Sequence, residues 1–131
     1  MLFLLDTSAA IILRDTVSDA DRRLRDLGSI PALSIVTQIE LEEGVVAEPA
    51  LAAVRRLLLD RMLLQFPVLD FGVDCAAAYR MIVEARGHSR SKVVDRMIAA
   101  TALAHGLTVI TSNARDFRDV PGLGLQVWPS N

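Results

Sequence analysis

The sequence predicts an α/β protein in which a mostly parallel sheet is covered by helices on both faces. Short apolar runs alternate with helix-like segments along the whole chain, which is typical of parallel sheets. Residues 107–111 form an unbroken, β-branched apolar run, typical of a central strand that is buried on both faces. Residues 94–105 form a helix that is apolar on nearly every side, so both of its sides must be covered.

Local start and stop signals place the individual elements. Thr7 and Ser8 can cap the first helix, and Ser18 with Asp21 resembles an acidic capping box for the second, which Gly28 ends. Strands are predicted at residues 2–5, 32–36, 68–71, 107–111 and 125–127.

The later helices carry similar signals. The third helix is predicted to begin at Thr37 and to end at Gly44, and Pro49 occupies a favourable first-turn position in the fourth. Gly106 ends the last helix, with His105 in its final turn. Helices are predicted at residues 7–14, 18–27, 37–44, 49–64, 74–86 and 94–105, and residues 87–92 form a loop rich in serine and positive charge.

Length and composition indicate one globular domain, residues 1–131. The hydrophobic content of 52% excludes a disordered chain, and a formal net charge of −2 gives no overall case for nucleic-acid binding, so any such site must be local. All but one of the 14 basic residues are arginine, which suits phosphate binding but is explained equally well by a genomic bias.

Cysteine usage and hydropathy indicate the compartment. The single cysteine, Cys75, excludes an intramolecular disulfide, and its alanine-rich surroundings predict a small core residue. The apolar start of the chain is too short for a signal peptide, and no run approaches membrane-spanning length. We therefore expect a soluble, cytoplasmic protein with no membrane segment.

Four acids fall near one edge of the predicted sheet. Asp6 follows the first strand, and Glu40 lies in the helix that follows the second strand. Asp95 opens the helix that precedes the fourth strand, and Asp116 lies in the turn that follows this strand. Each has an ordinary alternative: Asp95 suits the helix dipole, Asp6 and Asp116 suit turns, and Glu40 can be a solvated helix charge. Their shared placement favours convergence on one site, because ligands bind beyond the carboxyl ends of parallel strands.

Converging carboxylates favour a bound cation, since they repel one another and would otherwise become protonated in apolar surroundings. An all-oxygen site suits Mg²⁺ or Mn²⁺ rather than Zn²⁺, and His88 and His105 show no ligand spacing. A divalent metal ringed by acids at a sheet edge is typical of enzymes that hydrolyse phosphodiesters.

These residues carry a resemblance to a known family. Over essentially its whole length the chain resembles a PIN-domain protein and, within that superfamily, a VapC-type toxin ribonuclease of a bacterial toxin–antitoxin pair. The matching blocks are Leu5-Asp6-Thr7-Ser8, residues 34–44 with Glu40-Leu41, Asp95 with Ile98-Ala99-Ala100-Thr101-Ala102-Leu103, and Thr111-Ser112-Asn113-Ala114-Arg115-Asp116-Phe117 followed by Val120-Pro121-Gly122-Leu123.

The resemblance implies a five-stranded parallel sheet in an α/β/α sandwich, a homodimer, and silencing by a cognate antitoxin whose C-terminal segment covers the site. It implies Asp6, Glu40 and Asp95 as the core acids and Asp116 as the fourth. In the resulting hypothesis Asp6, Asp95 and Asp116 hold the metal directly or through water, and Glu40 orients or deprotonates the attacking water. Polar support is assigned to Thr7, Ser8 and Ser112.

An RNA substrate needs local positive charge. Arg86, Arg90 and Lys92, with His88, surround the loop that leads into Asp95 and could contact phosphates. A solvated loop is the alternative. Arg96, where a small or apolar residue would fit the family pattern better, either faces phosphate or points to solvent.

The alternatives are two phosphoryl-transfer domains of similar architecture and one protein without catalytic activity. A receiver-type phospho-acceptor domain has a similar length and acid cluster, but it needs adjacent acids after the first strand and a lysine near the end of the last strand. A phosphatase of the haloacid dehalogenase type needs a second Asp where Ser8 stands. A catalytically silent interaction module of the same fold is the other class, and the intact set of acids argues against it.

Overall fold

Within residues 2–129, which the computed structural model describes, five short strands form the centre: β1 (Phe3–Leu5), β2 (Ala32–Ser34), β3 (Val68–Leu69), β4 (Thr108–Thr111) and β5 (Leu125–Val127). They pair in parallel in the order β3-β2-β1-β4-β5. Met1, Ser130 and Asn131, the ends of the predicted domain, lie outside the described residues. The strand order runs outward from β1 in both directions, so the edge at the end of β1 is where a ligand site is expected.

Six helices surround this sheet in the same described stretch: α1 (Thr7–Asp15), α2 (Val17–Leu27), α3 (Ile35–Ala47), α4 (Ala52–Gln65), α5 (Val73–Arg86) and α6 (Val93–His105). Short 3₁₀ turns lie at Pro49–Leu51, Arg90–Lys92 and Ala114–Asp116. The predicted three-layer α/β/α architecture with a five-stranded parallel sheet is confirmed. None of the helices in residues 2–129 has the length and apolar character needed to cross a membrane.

Two cores lie on the two faces of the sheet. Successive strand residues point to opposite faces, so Leu4 packs with α5 and α6, while Leu5 packs with α1 and α4. Residues 98–102 of α6 are all buried, as expected for a helix covered on both sides. Cys75 is buried in α5, as predicted.

The boundary between β2 and α3 differs from the prediction. The predicted strand 32–36 ends at Ser34, and α3 begins at Ile35 rather than at Thr37. The β-branched run 35–37 favours a strand locally, but Ser34 Oγ accepts a hydrogen bond from the Thr37 backbone N–H at 3.0 Å and caps the helix. The helix also continues through Gly44 to Ala47, because Val45 is buried in the core beyond the glycine.

The helix caps differ as well. Asp6, not Thr7 or Ser8, caps α1, since its side chain accepts from the Ala9 backbone N–H. The capping box predicted at Ser18 does not form, because α2 already begins at Val17 and Thr16 is its N-cap residue.

Candidate active site

Polar side chains stand at the ends of three neighbouring strands. Asp6 follows β1, Ser34 ends β2 and Thr111 ends β4. Because β1 pairs in parallel with both β2 and β4, these three ends lie side by side at one edge of the sheet. The site is therefore built on the most buried part of the fold.

Asp6 is held at this edge by its own hydrogen bonds. Its side chain is almost fully buried; Oδ1 accepts from the Ala9 backbone N–H at 2.8 Å and from Ser8 Oγ at 2.7 Å. Oδ2 accepts from Thr111 Oγ1 at 2.5 Å. Burial raises the pKa of Asp6 above its ordinary value, although these three hydrogen bonds act in the opposite direction.

Thr111 and Ser8 connect Asp6 to the turn that follows β4. Thr111 Oγ1 accepts from the Asn113 backbone N–H, and Ser8 Oγ accepts from the Ser112 backbone N–H, each at 2.9 Å. The predicted support from Ser112 thus runs through its backbone amide. These bonds fix the start of the turn that carries Asp116.

Replacing Thr111 by Val should lower the free energy of unfolding by about 1–3 kcal/mol, because a buried carboxylate and a backbone N–H each lose a partner. Urea unfolding in EDTA measures this. The control is Thr111→Ser, which keeps the hydroxyl. A Val variant as stable as the Ser variant would show that the hydroxyl is dispensable for the fold.

Glu40 reaches the same edge from α3. Thr7 Oγ1 donates to Glu40 Oε1 and lies 3.3 Å from Thr37 Oγ1. Thr37 is fully buried, so its hydroxyl gives the Thr7 hydroxyl a fixed neighbour inside the fold. Glu40 is therefore oriented by a neighbouring hydroxyl, unlike a freely solvated helix charge.

Asp95 is the most strongly perturbed acid of the site. It lies in the first turn of α6, about half buried. Burial raises its pKa to about 6, and the charges of Asp116, Glu40 and Asp6 add to this effect in that order. The other three predicted acids therefore act on Asp95 electrostatically, and Asp116 has the strongest effect of the three.

The donor chemistry of this site fits a divalent metal ion. The predicted ligands are all carboxylates, and repulsion between carboxylates is the condition that a hard cation relieves. Within residues 2–129, no three Asp, Glu, His or Cys side chains are gathered closely enough to enclose an ion directly. This loose spacing suits Mg²⁺, which keeps several of its waters and needs few protein ligands.

The predicted basic loop divides into two groups. Arg86, Arg90 and His88 are exposed. Arg96, by contrast, is only 3% exposed, and its Nη1 donates to the Gly87 carbonyl at 2.7 Å. The solvent-facing alternative given for Arg96 is therefore wrong, and the phosphate contact stays a prediction.

Sequence reasoning gave no role to Thr37 and did not single out Thr111. Both are fully buried hydroxyls at the sheet edge, one bonded to Asp6 and the other beside Thr7. The sequence did offer a signal for both, because Thr111 ends the predicted strand 107–111 and Thr37 directly follows the predicted strand 32–36.

The sequence model of the PIN domain family matches residues 3–123. The chain belongs to the PIN domain family. It is 33% identical to ribonuclease VapC4 of Mycobacterium tuberculosis over 90% of each chain. It is 29% identical to the tRNA(fMet)-specific endonuclease VapC of Salmonella typhimurium, over 96% of this chain and 97% of the relative.

Solved structures agree with these relatives. A chain of the DNA-bound VapBC from Salmonella typhimurium is 27% identical, with a TM-score of 0.84, over 98% of this chain and 99% of that one. VapBC2 from Rickettsia felis, bound to a promoter DNA fragment, gives 25% identity and a TM-score of 0.82 over the same shares. The predicted VapC-type PIN domain and its nuclease class are thereby confirmed, and the receiver-type alternative is wrong.

Proposed function

We propose that this chain is a divalent-metal-dependent endoribonuclease that acts as the toxin of a toxin–antitoxin pair. The proposal is supported by the electrostatics of four acids from distant parts of the chain: burial raises the pKa of Asp95, and the charges of Asp116, Glu40 and Asp6 raise it further. The VapC relatives are ribonucleases, and hydrolysis of RNA phosphodiesters is the chemistry that this acid set suits.

We assign metal binding, directly or through water, to Asp6, Asp95 and Asp116, with Mg²⁺ as the proposed ion and Mn²⁺ as its substitute. When bound, such an ion supplies positive charge that activates water and stabilises the developing charge on a phosphate. Glu40 accepts the proton of the attacking water, and the Thr7 hydroxyl fixes the carboxylate for that task. Asp6 is held rigidly by Ala9, Ser8 and Thr111, so it does not need to be reoriented during the reaction.

We propose that RNA phosphates contact the exposed side chains of Arg90 and of Arg86, whose Nε already donates to the Asp119 carbonyl. Lys92 is half-buried and already pairs with Asp119, so it contributes mainly to the local field. Aromatic residues make up only 5% of the chain, which leaves RNA shape as the main source of specificity.

We also propose an antitoxin partner, a homodimer and a cytoplasmic site of action. The antitoxin proposal is supported by a cleft of about 250 Å³ between α2 and α4, whose apolar lining includes Leu13, Leu24, Leu58 and Met62. Such a cleft accepts the apolar face of a helix. The dimer proposal is supported by exposed apolar side chains on α3 and α5, among them Ile39, Val46, Val73 and Met81.

The test is cleavage of structured and single-stranded RNA by the purified protein, with Mg²⁺ and with EDTA. We expect cleavage only with the metal, and a loss of at least about 10²-fold in kcat for Glu40→Gln, which keeps an acceptor for Thr7 but cannot accept the proton. Glu43→Gln, an exposed change in the same helix, is the matched control and should leave kcat unchanged.

Two results would contradict the proposal. Cleavage that continues in EDTA would remove the metal from the mechanism. A protein that neither binds Mn²⁺ nor cuts any RNA would favour the catalytically silent interaction module instead.

A further inference from the structure

Asp119, in the turn that carries Asp116, is contacted by three cationic side chains. Lys92 Nζ lies 3.1 Å and Arg96 Nη2 lies 3.6 Å from Asp119 Oδ2. Arg86 Nε donates to the Asp119 backbone carbonyl at 2.6 Å. The Lys92 ammonium holds the pKa of Asp119 below its usual range, so this carboxylate is charged and engaged by cations. We call Arg86, Lys92, Arg96 and Asp119 the Asp119 clamp.

Arg96 connects the clamp to the rest of the fold. It follows Asp95 in the first turn of α6, it is 3% exposed, and it donates to the carbonyl of Gly87, the residue that ends α5. One guanidinium therefore joins the end of α5, the start of α6 and the turn that contains Asp119. An arginine can do this because its fork of donors reaches partners in different directions.

The clamp is poorly explained as a device for stability alone. Arg96 Nε and Asp119 Oδ1 are buried and lack a hydrogen-bond partner within the described residues. Burying an incompletely satisfied ion pair gives little net stability, because desolvation offsets the attraction between the charges. The ion pair between Arg96 and Asp119 does connect the first turn of α6 to the turn that follows β4.

Each of those segments carries one acid of the site. Asp95 is adjacent to Arg96, and Asp116 precedes Asp119 in the same turn. Both acids are carboxylates that belong to the same candidate site, and like charges held near each other repel. Without a connection between the segments, this repulsion would move the carboxylates apart when no metal is bound.

We propose that Arg96 and Asp119 are positioning residues that fix the spacing of Asp95 and Asp116 so that both can hold one divalent cation. The inference rests on the proposed function, because it requires a metal between these acids. It assigns a role to the one arginine that does not fit the resemblance.

The test compares the Mn²⁺ affinities of two variants that change the charge near the site in opposite directions. Arg96→Gln removes a cation near the site, so simple electrostatics predicts tighter metal binding, whereas Asp119→Asn removes an anion and predicts weaker binding. Positioning predicts that both variants bind Mn²⁺ more weakly, by about ten-fold or more, as for other residues that orient metal ligands. Mn²⁺ affinity is measured by calorimetry on the full-length, EDTA-stripped protein, with Asp26→Asn in α2 as the matched control.

Two further measurements separate positioning from damage to the fold. Thermal unfolding in EDTA should show that Asp119→Asn remains folded, and kcat for RNA should fall while KM stays unchanged. The double variant should lose no more affinity than either single variant, because both act through the same pair.

The proposal is overturned if Arg96→Gln tightens Mn²⁺ binding, or if neither variant changes the affinity relative to Asp26→Asn while the wild-type protein binds metal and cuts RNA. A wild-type protein that binds no Mn²⁺ and cuts no RNA would overturn the proposed function together with it.

Discussion

Replacing Asp95 by Asn is expected to abolish RNA cleavage and, at the same time, to make the metal-free protein more stable. Loss of a metal-binding carboxylate should lower kcat by at least about 10³-fold, equivalent to roughly 4 kcal/mol of transition-state stabilisation. The gain in stability has a separate cause, because a half-buried carboxylate is removed from beside three others.

The size and pH dependence of that gain follow from the pKa of Asp95. Its pKa is near 3.8 in the unfolded chain and about 6 in the folded one, so the folded state binds more protons between those values. The contribution of Asp95 to stability is therefore fully present below about pH 4 and is lost as the pH rises through 6. Since Asp95 is partly exposed, solvent screening reduces the penalty at neutral pH to about 1 kcal/mol.

Urea unfolding in EDTA from about pH 4 to about pH 7.5 measures this difference. The unfolding free energies of the wild-type protein and the Asp95→Asn variant should agree at the acidic end and diverge near pH 6, with the variant more stable above it. Asp26→Asn, on an exposed face of α2, should follow the wild-type curve. An active Asp95→Asn protein would exclude Asp95 from the site. Parallel curves would mean that neither burial nor the neighbouring acids raise the pKa of Asp95 in the folded protein.

The placement of the four acids could be predicted from the sequence because each lies near a strong local signal. The first and fourth strands are apolar runs with abrupt polar ends, so the acids that follow or precede them fall at predictable positions. The parallel topology then brings distant segments to one edge, since the alternation of strands and helices leaves few other arrangements.

The supporting contacts could not be predicted in the same way, because their partners come from distant elements. Thr111 bonds to Asp6, and Arg96 finds Gly87 and Asp119, which no local pattern indicates. The start of α3 was missed for a related reason. The β-branched residues after Ser34 favour a strand locally, and the cap at Ser34 overrides that preference.

Asp6→Ala is expected to abolish cleavage as completely as Asp95→Asn, by about 10³-fold or more, but to lower stability instead of raising it. The Asp6 carboxylate caps α1 through Ala9 and accepts from Ser8 and Thr111, so its removal leaves three donors without their acceptor. Loss of the cap and of the buried partners should cost about 1–3 kcal/mol, after relief of the buried charge is subtracted.

Asp6→Asn separates the two roles of this residue, because its side-chain oxygen can still accept from Ala9 while its charge is gone. We expect it to be as inactive as Asp6→Ala and to recover most of the stability, measured by urea unfolding in EDTA. If Asp6→Ala is more stable than the wild-type protein, the desolvation of Asp6 outweighs its hydrogen bonds. The opposite effects of Asp6 and Asp95 on stability follow from their positions: Asp6 caps a helix and joins β1 to β4, whereas Asp95 meets mainly like charges, and only a bound cation makes its burial favourable.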